Sequence, residues 1–260
     1  MKKTLNYFTI IISIVLLASC SKDSDIKNDT SDNSLFNSAK KQISSYYQEN
    51  VKTDGTILLM NDYMQTKYNR TSYGFSFQGK FSGETSYSEI SFNSYIVPIV
   101  ENNAYSTSDI DSVNLGGKLF DFFGAKNLIK IDNNVFIEDF YIPKPVVVSF
   151  PESSDFTFSK EQGISIDLDV DINNVNPIVV VLEYVDDKAT AGSICLTKTY
   201  ILDSQDRRFL IPEGDLVNFP IGEKLMLYVG CGNGNIVTYD NFVYDLEGIN
   251  ITYFPGIKLY

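Results

Sequence analysis

Ile164-Ser-Ile-Asp-Leu-Asp-Val-Asp-Ile172 alternates apolar and polar residues without a break. A period of two belongs to a β-strand with one face buried and one in water. The pattern predicts Ile164, Ile166, Leu168, Val170 and Ile172 in a core, with Ser165, Asp167, Asp169 and Asp171 facing out. Asn173–Pro177 supplies turn residues, and Ile178-Val-Val-Val-Leu-Glu-Tyr184 reads as the return strand. Further strands are expected at Ser193–Ile201, Arg207–Ile211, Lys224–Gly230, Ile236–Tyr239 and Ile249–Phe254. Short strands separated by turn chemistry suggest a β-sandwich.

The preceding half follows the same rule after one helix. Ser34 is placed to cap a helix whose face would carry Leu35, Phe36, Ala39, Ile43, Tyr46 and Tyr47. Strands are expected at Thr56–Met60, Tyr73–Phe81, Lys118–Phe123, Leu128–Ile131 and Val135–Ile142. Pro143 and Pro145 then stiffen the backbone before Val146–Phe150 resumes as strand. The fold class is therefore all-β, with two β-sandwich-like domains, 35–148 and 149–260, the first opening with the helix.

The amino terminus carries an address. Lys2 and Lys3 precede an apolar run from Tyr7 to Ala18, and Leu17-Ala18-Ser19 leads into Cys20. The order is that of a signal peptide, and the run is too short for a membrane span of about 20 residues. Leu17–Cys20 resembles a bacterial lipobox. The resemblance implies a signal peptide at 1–19, cleavage before Cys20 and acylation of that cysteine, hence a membrane anchor. Residues 20–34 are almost wholly polar and read as a flexible tether. Ser21-Lys22-Asp23-Ser24-Asp25 resembles the acidic export signal of Bacteroidetes lipoproteins, which implies the outer face of the outer membrane. Gly163–Tyr184, followed by Asp203, Phe209-Leu-Ile-Pro212, Leu216, Phe219-Pro, Gly222 and Leu225–Val229, resembles the immunoglobulin-like module of Bacteroidetes surface lipoproteins. That resemblance implies an immunoglobulin-like sandwich at 149–260 and carries no chemistry. It departs from the module at Leu168–Val170, where a core aromatic is expected and none occurs. Asp111-Ser112-Val113 matches the short Bacteroidetes O-glycosylation pattern, with Ser112 as acceptor.

Composition removes whole classes of chemistry. Histidine is absent, so Ser-His, Cys-His and His-metal arrangements have no base or ligand within this chain. The formal net charge is −12, and it becomes −14 once Lys2 and Lys3 leave with the signal peptide. Such a surface repels nucleic acid. Tryptophan is absent too, which lowers the expectation of a sugar platform, although 17 Tyr and 18 Phe are present. After lipidation of Cys20 only Cys195 and Cys231 are left. They either form one disulfide or serve as two separate small hydrophobes. Asp167, Asp169 and Asp171 invite a calcium reading, but Ile172 stands where an EF-hand needs glycine and Ile178 where it needs glutamate. A solvated sheet face is expected, with a looser calcium site as the alternative. Gly230-Cys-Gly-Asn-Gly-Asn235 lacks phosphate-loop context and reads as a tight turn between two strands. Cys231 has no histidine to activate it, and Glu138-Asp139 and Asp186-Asp187 diverge as adjacent strand residues.

These readings lead to a non-catalytic, lipid-anchored surface protein without a cofactor, serving adhesion, assembly or ligand capture with a protein or glycan partner. The alternative is a glycan-binding accessory lipoprotein of a nutrient-uptake system, with Tyr or Phe platforms. A carboxylate-dependent hydrolase is the third class.

Overall fold

The computed structural model describes residues 33–48, 51–65, 70–81, 87–97, 99–101, 104–110, 122–153, 155–185 and 195–260. The chain is predominantly β. After helix α1 (Asn33–Ser45) come β1 (Gly55–Gln65), β2 (Arg70–Phe81), β3 (Ile90–Phe92), β4 (Tyr95–Val97), β5 (Ile99–Glu101), β6 (Ala104–Ile110), β7 (Ala125–Ile131) and β8 (Asn134–Ile142). The second half holds β9 (Val147–Ser149), β10 (Thr157–Phe158), β11 (Ile164–Asp169), β12 (Ile178–Val185), β13 (Cys195–Leu202), β14 (Arg208–Ile211), a one-turn α2 (Glu213–Leu216), β15 (Leu225–Tyr239) and β16 (Phe242–Leu259).

One nine-stranded sheet organises the fold, in the order β13-β12-β15-β16-β1-β2-β6-β5, with β10 added to the end of β16. Two smaller sheets, β14-β11-β9 and β4-β3-β7-β8, complete the architecture. Each encloses a core against the large sheet. Under β14-β11-β9 the core is mostly aliphatic, with Val148, Ile164, Ile166, Leu168, Ile178, Leu182, Leu227 and Val229. Under β4-β3-β7-β8 it is aromatic, with Phe75, Phe77, Phe81, Phe92, Phe136, Phe140 and Tyr244. Tyr87 and Tyr244 join hydroxyls at 2.5 Å inside it. Two sandwich-like lobes therefore exist, but they are not separate in the chain. β15 and β16 form one hairpin, turned at Asp240-Asn241 with both residues at positive φ. Leu227, Cys231 and Phe254 of this hairpin enter the aliphatic core, while Tyr244 and Leu246 enter the aromatic one. The expected boundary between 148 and 149 cuts through β9, and Val146 and Val148 before it already belong to the aliphatic core; the large sheet is shared by both lobes. The join is the parallel pairing of Gly55–Met64 on β1 with Tyr244–Tyr253 on β16.

The opposite face of the large sheet is covered by α1. Ala39, Ile43 and Tyr47 pack with Val179, Val181, Tyr228, Ile249 and Ile251. Tyr46, expected on the same face, is exposed. The helix begins at Asn33, so two residues assigned to the tether are helical. Close approach of α1 explains the glycine run. Residues 230–235 are not a turn; they lie inside the 15-residue β15 and continue its pairing to β16. Gly230, Gly232 and Gly234 share one face at period two. A Cβ on Gly230 would collide with Ile43, and one on Gly234 with the Tyr47 carbonyl. We expect Gly234→Val to cost about 1–3 kcal/mol, the usual range for overpacking, and to lower the melting temperature by several degrees. The Tyr47 hydroxyl bonds to the Pro177 and Gly230 carbonyls should be lost with it. An unchanged melt would show that α1 can lift at no cost.

The stiff connector between the lobes runs across the sheet on a ladder of side chains. Asn233 donates to Tyr141 O (3.0 Å), Asn250 to Pro143 O (2.6 Å), Cys231 to Lys144 O (3.2 Å), Thr252 to Val146 O (2.8 Å) and Gln65 to Val148 O (2.8 Å). The two prolines deny this stretch two backbone donors, and its carbonyls are satisfied from the sheet below.

The alternating strand ends earlier than its pattern. Ile164, Ile166, Leu168 and Val170 are buried as expected, but Ile172 is 80% exposed. Asp171 is the reason. Its Oδ1 accepts from Asn173 N at 3.0 Å and its Oδ2 from Tyr141 Oη at 2.5 Å and Lys144 N at 2.9 Å. These bonds turn the backbone out of the strand and pin it to the connector.

Candidate functional site

The three aspartates singled out from the sequence do not converge. Asp167 pairs with Arg208 across β11 and β14 at 2.7 Å. Asp169 is exposed opposite Val147. Asp171 is committed to the connector; burial raises its pKa, but the bonds from Tyr141, Lys144 and Asn173 outweigh burial and hold it below the usual carboxylate range. Among the described residues no three carboxylates or thiols are grouped to hold a metal ion.

The cysteines are kept apart by register. Cys195 opens β13 opposite Val185, and Leu202 closes it opposite Ile178. Cys231 lies one step past Gly230, which pairs with Val179, and is thus level with the Leu202 end. At about 3.3 Å per residue the two are roughly 20 Å apart along the strand, whereas a disulfide needs Cα atoms within about 7 Å. The disulfide alternative is therefore excluded. Cys231 is a buried free thiol, and burial pushes its pKa up to about 12. Cys20 and Ser112 lie outside the described residues.

Two surface clefts are lined by described residues. The larger, about 620 Å³, lies at the far end of the aliphatic lobe and is lined by Lys160, Glu161, Glu213, Val217, Ile221 and Tyr260. Lys160 Nζ is spent on the Val217 and Phe219 carbonyls, at 2.6 and 2.9 Å, and closes the loop after α2. The smaller, about 330 Å³, lies on the helix-side face of the large sheet beside the end of α1. Its lining is Gln48, Thr56, Leu58, Gln78, Gly79, Lys80, Ala104 and Glu247.

This second cleft has the more demanding chemistry. Glu247 is 2% exposed. The Ser44 hydroxyl of α1 donates to its Oε2 at 2.6 Å, and the Gln48 side chain donates as well. Burial raises its pKa, these two donors lower it, and the nearby Asp245 carboxylate raises it; the net direction is up. No ion pair to Glu247 forms among the described residues. The strand pairings set the floor: Asp245 faces Thr56, which faces Lys80, and Glu247 faces Leu58, which faces Gln78. α1 is fixed above by the Lys40–Asp62 ion pair and by Gln42 Nε2 donating to Thr199 Oγ1 at 2.7 Å.

Sequence reading missed Glu247 and its neighbours. Its one signal was polar residues on both faces of an otherwise apolar strand, Asp245 and Glu247 on one and Asn250 on the other. Among the described residues Tyr46 and Tyr260 are the exposed aromatics, one at the end of α1 and one after β16. No helix among them is long and apolar enough to cross a membrane. The chain matches no protein-family model, and no curated protein matches it.

Proposed function

We propose that the chain is a non-catalytic, lipid-anchored cell-surface protein that captures a small polar ligand in the cleft beside α1. The observation that carries capture is Glu247, a carboxylate held out of water at the base of an open cleft and served, among the described residues, by the neutral donors Ser44 and Gln48. Desolvated charge of this kind clusters at binding sites. Anchoring rests on Leu17-Ala18-Ser19-Cys20 and its flanks, and the outer-membrane location on Ser21–Asp25. The aliphatic lobe is read as an immunoglobulin-like sandwich, because β14-β11-β9 faces β13-β12-β15 across one core. Capture of a small ligand is preferred to a glycan platform, since among the described residues the exposed aromatics Tyr46 and Tyr260 sit on different elements and make no paired surface.

The anchor is tested by Cys20→Ala. Wild-type protein should partition into the detergent phase and be shaved from intact cells by protease. The variant should stay unprocessed at this site and leave the detergent phase. Unchanged partitioning would overturn the anchor.

A further inference from the structure

We propose that the cleft beside α1 binds the protonated amine of a small polar ligand, with the ammonium group seated on Glu247. This rests on the capture reading and names the ligand's chemistry.

The charge layout favours a cation at one end only. Asp245 and Glu247 stand two residues apart on the same face of β16, both nearly buried. Lys80 lies beyond β1, on β2. Neighbouring strands are about 4.8 Å apart, so the backbones at Glu247 and Lys80 lie roughly 10 Å apart, and the two side chains form no ion pair among the described residues. Ser44 and Gln48 orient the Glu247 carboxylate but bring no charge to it. A cation entering there gains strong attraction in a partly dry site, while an anion is repelled. Of the lining residues Glu247 alone carries a carboxylate, too few oxygens for calcium, which takes six to eight. An ammonium group needs only a few acceptors, and it fits. Leu58 gives the floor an apolar patch for a carbon skeleton, and Gln78, Thr56 and Lys80 remain for hydroxyl or carboxylate groups at the other end. A volume of about 330 Å³ suits a molecule of metabolite size.

An amino sugar and an amino acid both offer this chemistry. Two isosteric pairs separate the sources: glucosamine against glucose, and L-alanine against L-lactate. The full chain in detergent is titrated with each, following melting temperature and the backbone NMR signals of Leu58 and Gln78. We expect at least one amine to raise the melting temperature by roughly 2–4 °C at several-fold excess over its Kd, and to move both signals. Its hydroxyl counterpart should do neither. Glu247→Gln should abolish the response.

The variant also carries its own check on folding. The folded pKa of Glu247 is raised, so its contribution to stability is fully present below the unfolded value of about 4.3 and is lost as pH rises through the folded pKa. Glu247→Gln escapes that loss. It should melt near wild type at about pH 4 and above it at neutral pH. A variant that responds to the amine like wild type overturns the seat on Glu247. Neutral probes that move Leu58 and Gln78 as strongly as the amines overturn the amine and leave capture standing. Silence at both signals with all four probes overturns both readings.

Discussion

Residues 149–260 expressed alone are expected to stay unfolded or to aggregate. Almost all of the aliphatic core would be present, so composition alone predicts a stable fragment. The large sheet argues otherwise. Without β1, the edge of β16 from Tyr244 to Tyr253 loses its parallel partner. Tyr244 and Leu246 lose the aromatic core, and Ile249 and Ile251 lose α1. Each fully buried side chain of this size contributes about 1.5–3 kcal/mol. Four of them outweigh much of the 5–15 kcal/mol that holds a domain folded. The newly bare edge would also template association. Proton NMR of the fragment decides the matter. A dispersed spectrum from a monomer would show that the aliphatic lobe holds without its neighbour.

Leu168→Asp is expected to be the most damaging single substitution in the alternating strand. Leu168 is 3% exposed in the aliphatic core, and an aspartate there has no partner. Burying an unpaired charge belongs to the class of changes that cost about 4–5 kcal/mol or more. One residue on, Asp169→Asn should stay within about 0.5 kcal/mol, as exposed positions do. The contrast tests register, because a slip of one residue would exchange the two results. The same melts with calcium and with chelator test the cation alternative. Asp167 is already paired with Arg208 and Asp171 with Tyr141, so calcium should leave the wild-type melting temperature unchanged. A calcium-linked rise would mean that these carboxylates leave their partners to bind it.

The local pattern of the chain was legible where one rule acted alone. Ile164 to Val170 alternate, and their burial follows. Ile172 broke the pattern because a side-chain bond to Asp171, not hydropathy, ended the strand. The glycines of β15 were misread because Asn-Gly is turn chemistry only when the backbone needs positive φ. Here glycine serves clearance beneath α1, a property of the partner and not of the strand. The cleft was illegible for a similar reason. Glu247 gains its character from Ser44 and Leu58, about two hundred positions away in sequence. Cross-strand partners at that range leave no mark on local periodicity.

The parallel join of β1 to β16 sets the order in which the protein can be made. β1 precedes and β16 follows nearly all the other described strands, so their pairing joins residues 189 positions apart, the widest separation among the strand pairings of the described residues. Closing long loops first costs entropy that only later contacts return, and topologies of this kind fold slowly. Neither core is complete until Tyr244, Leu246 and Phe254 have arrived. A chain of this topology is therefore expected to complete its fold late. Under the proposed lipid-anchored function, that delay fits passage of the chain through a membrane before folding.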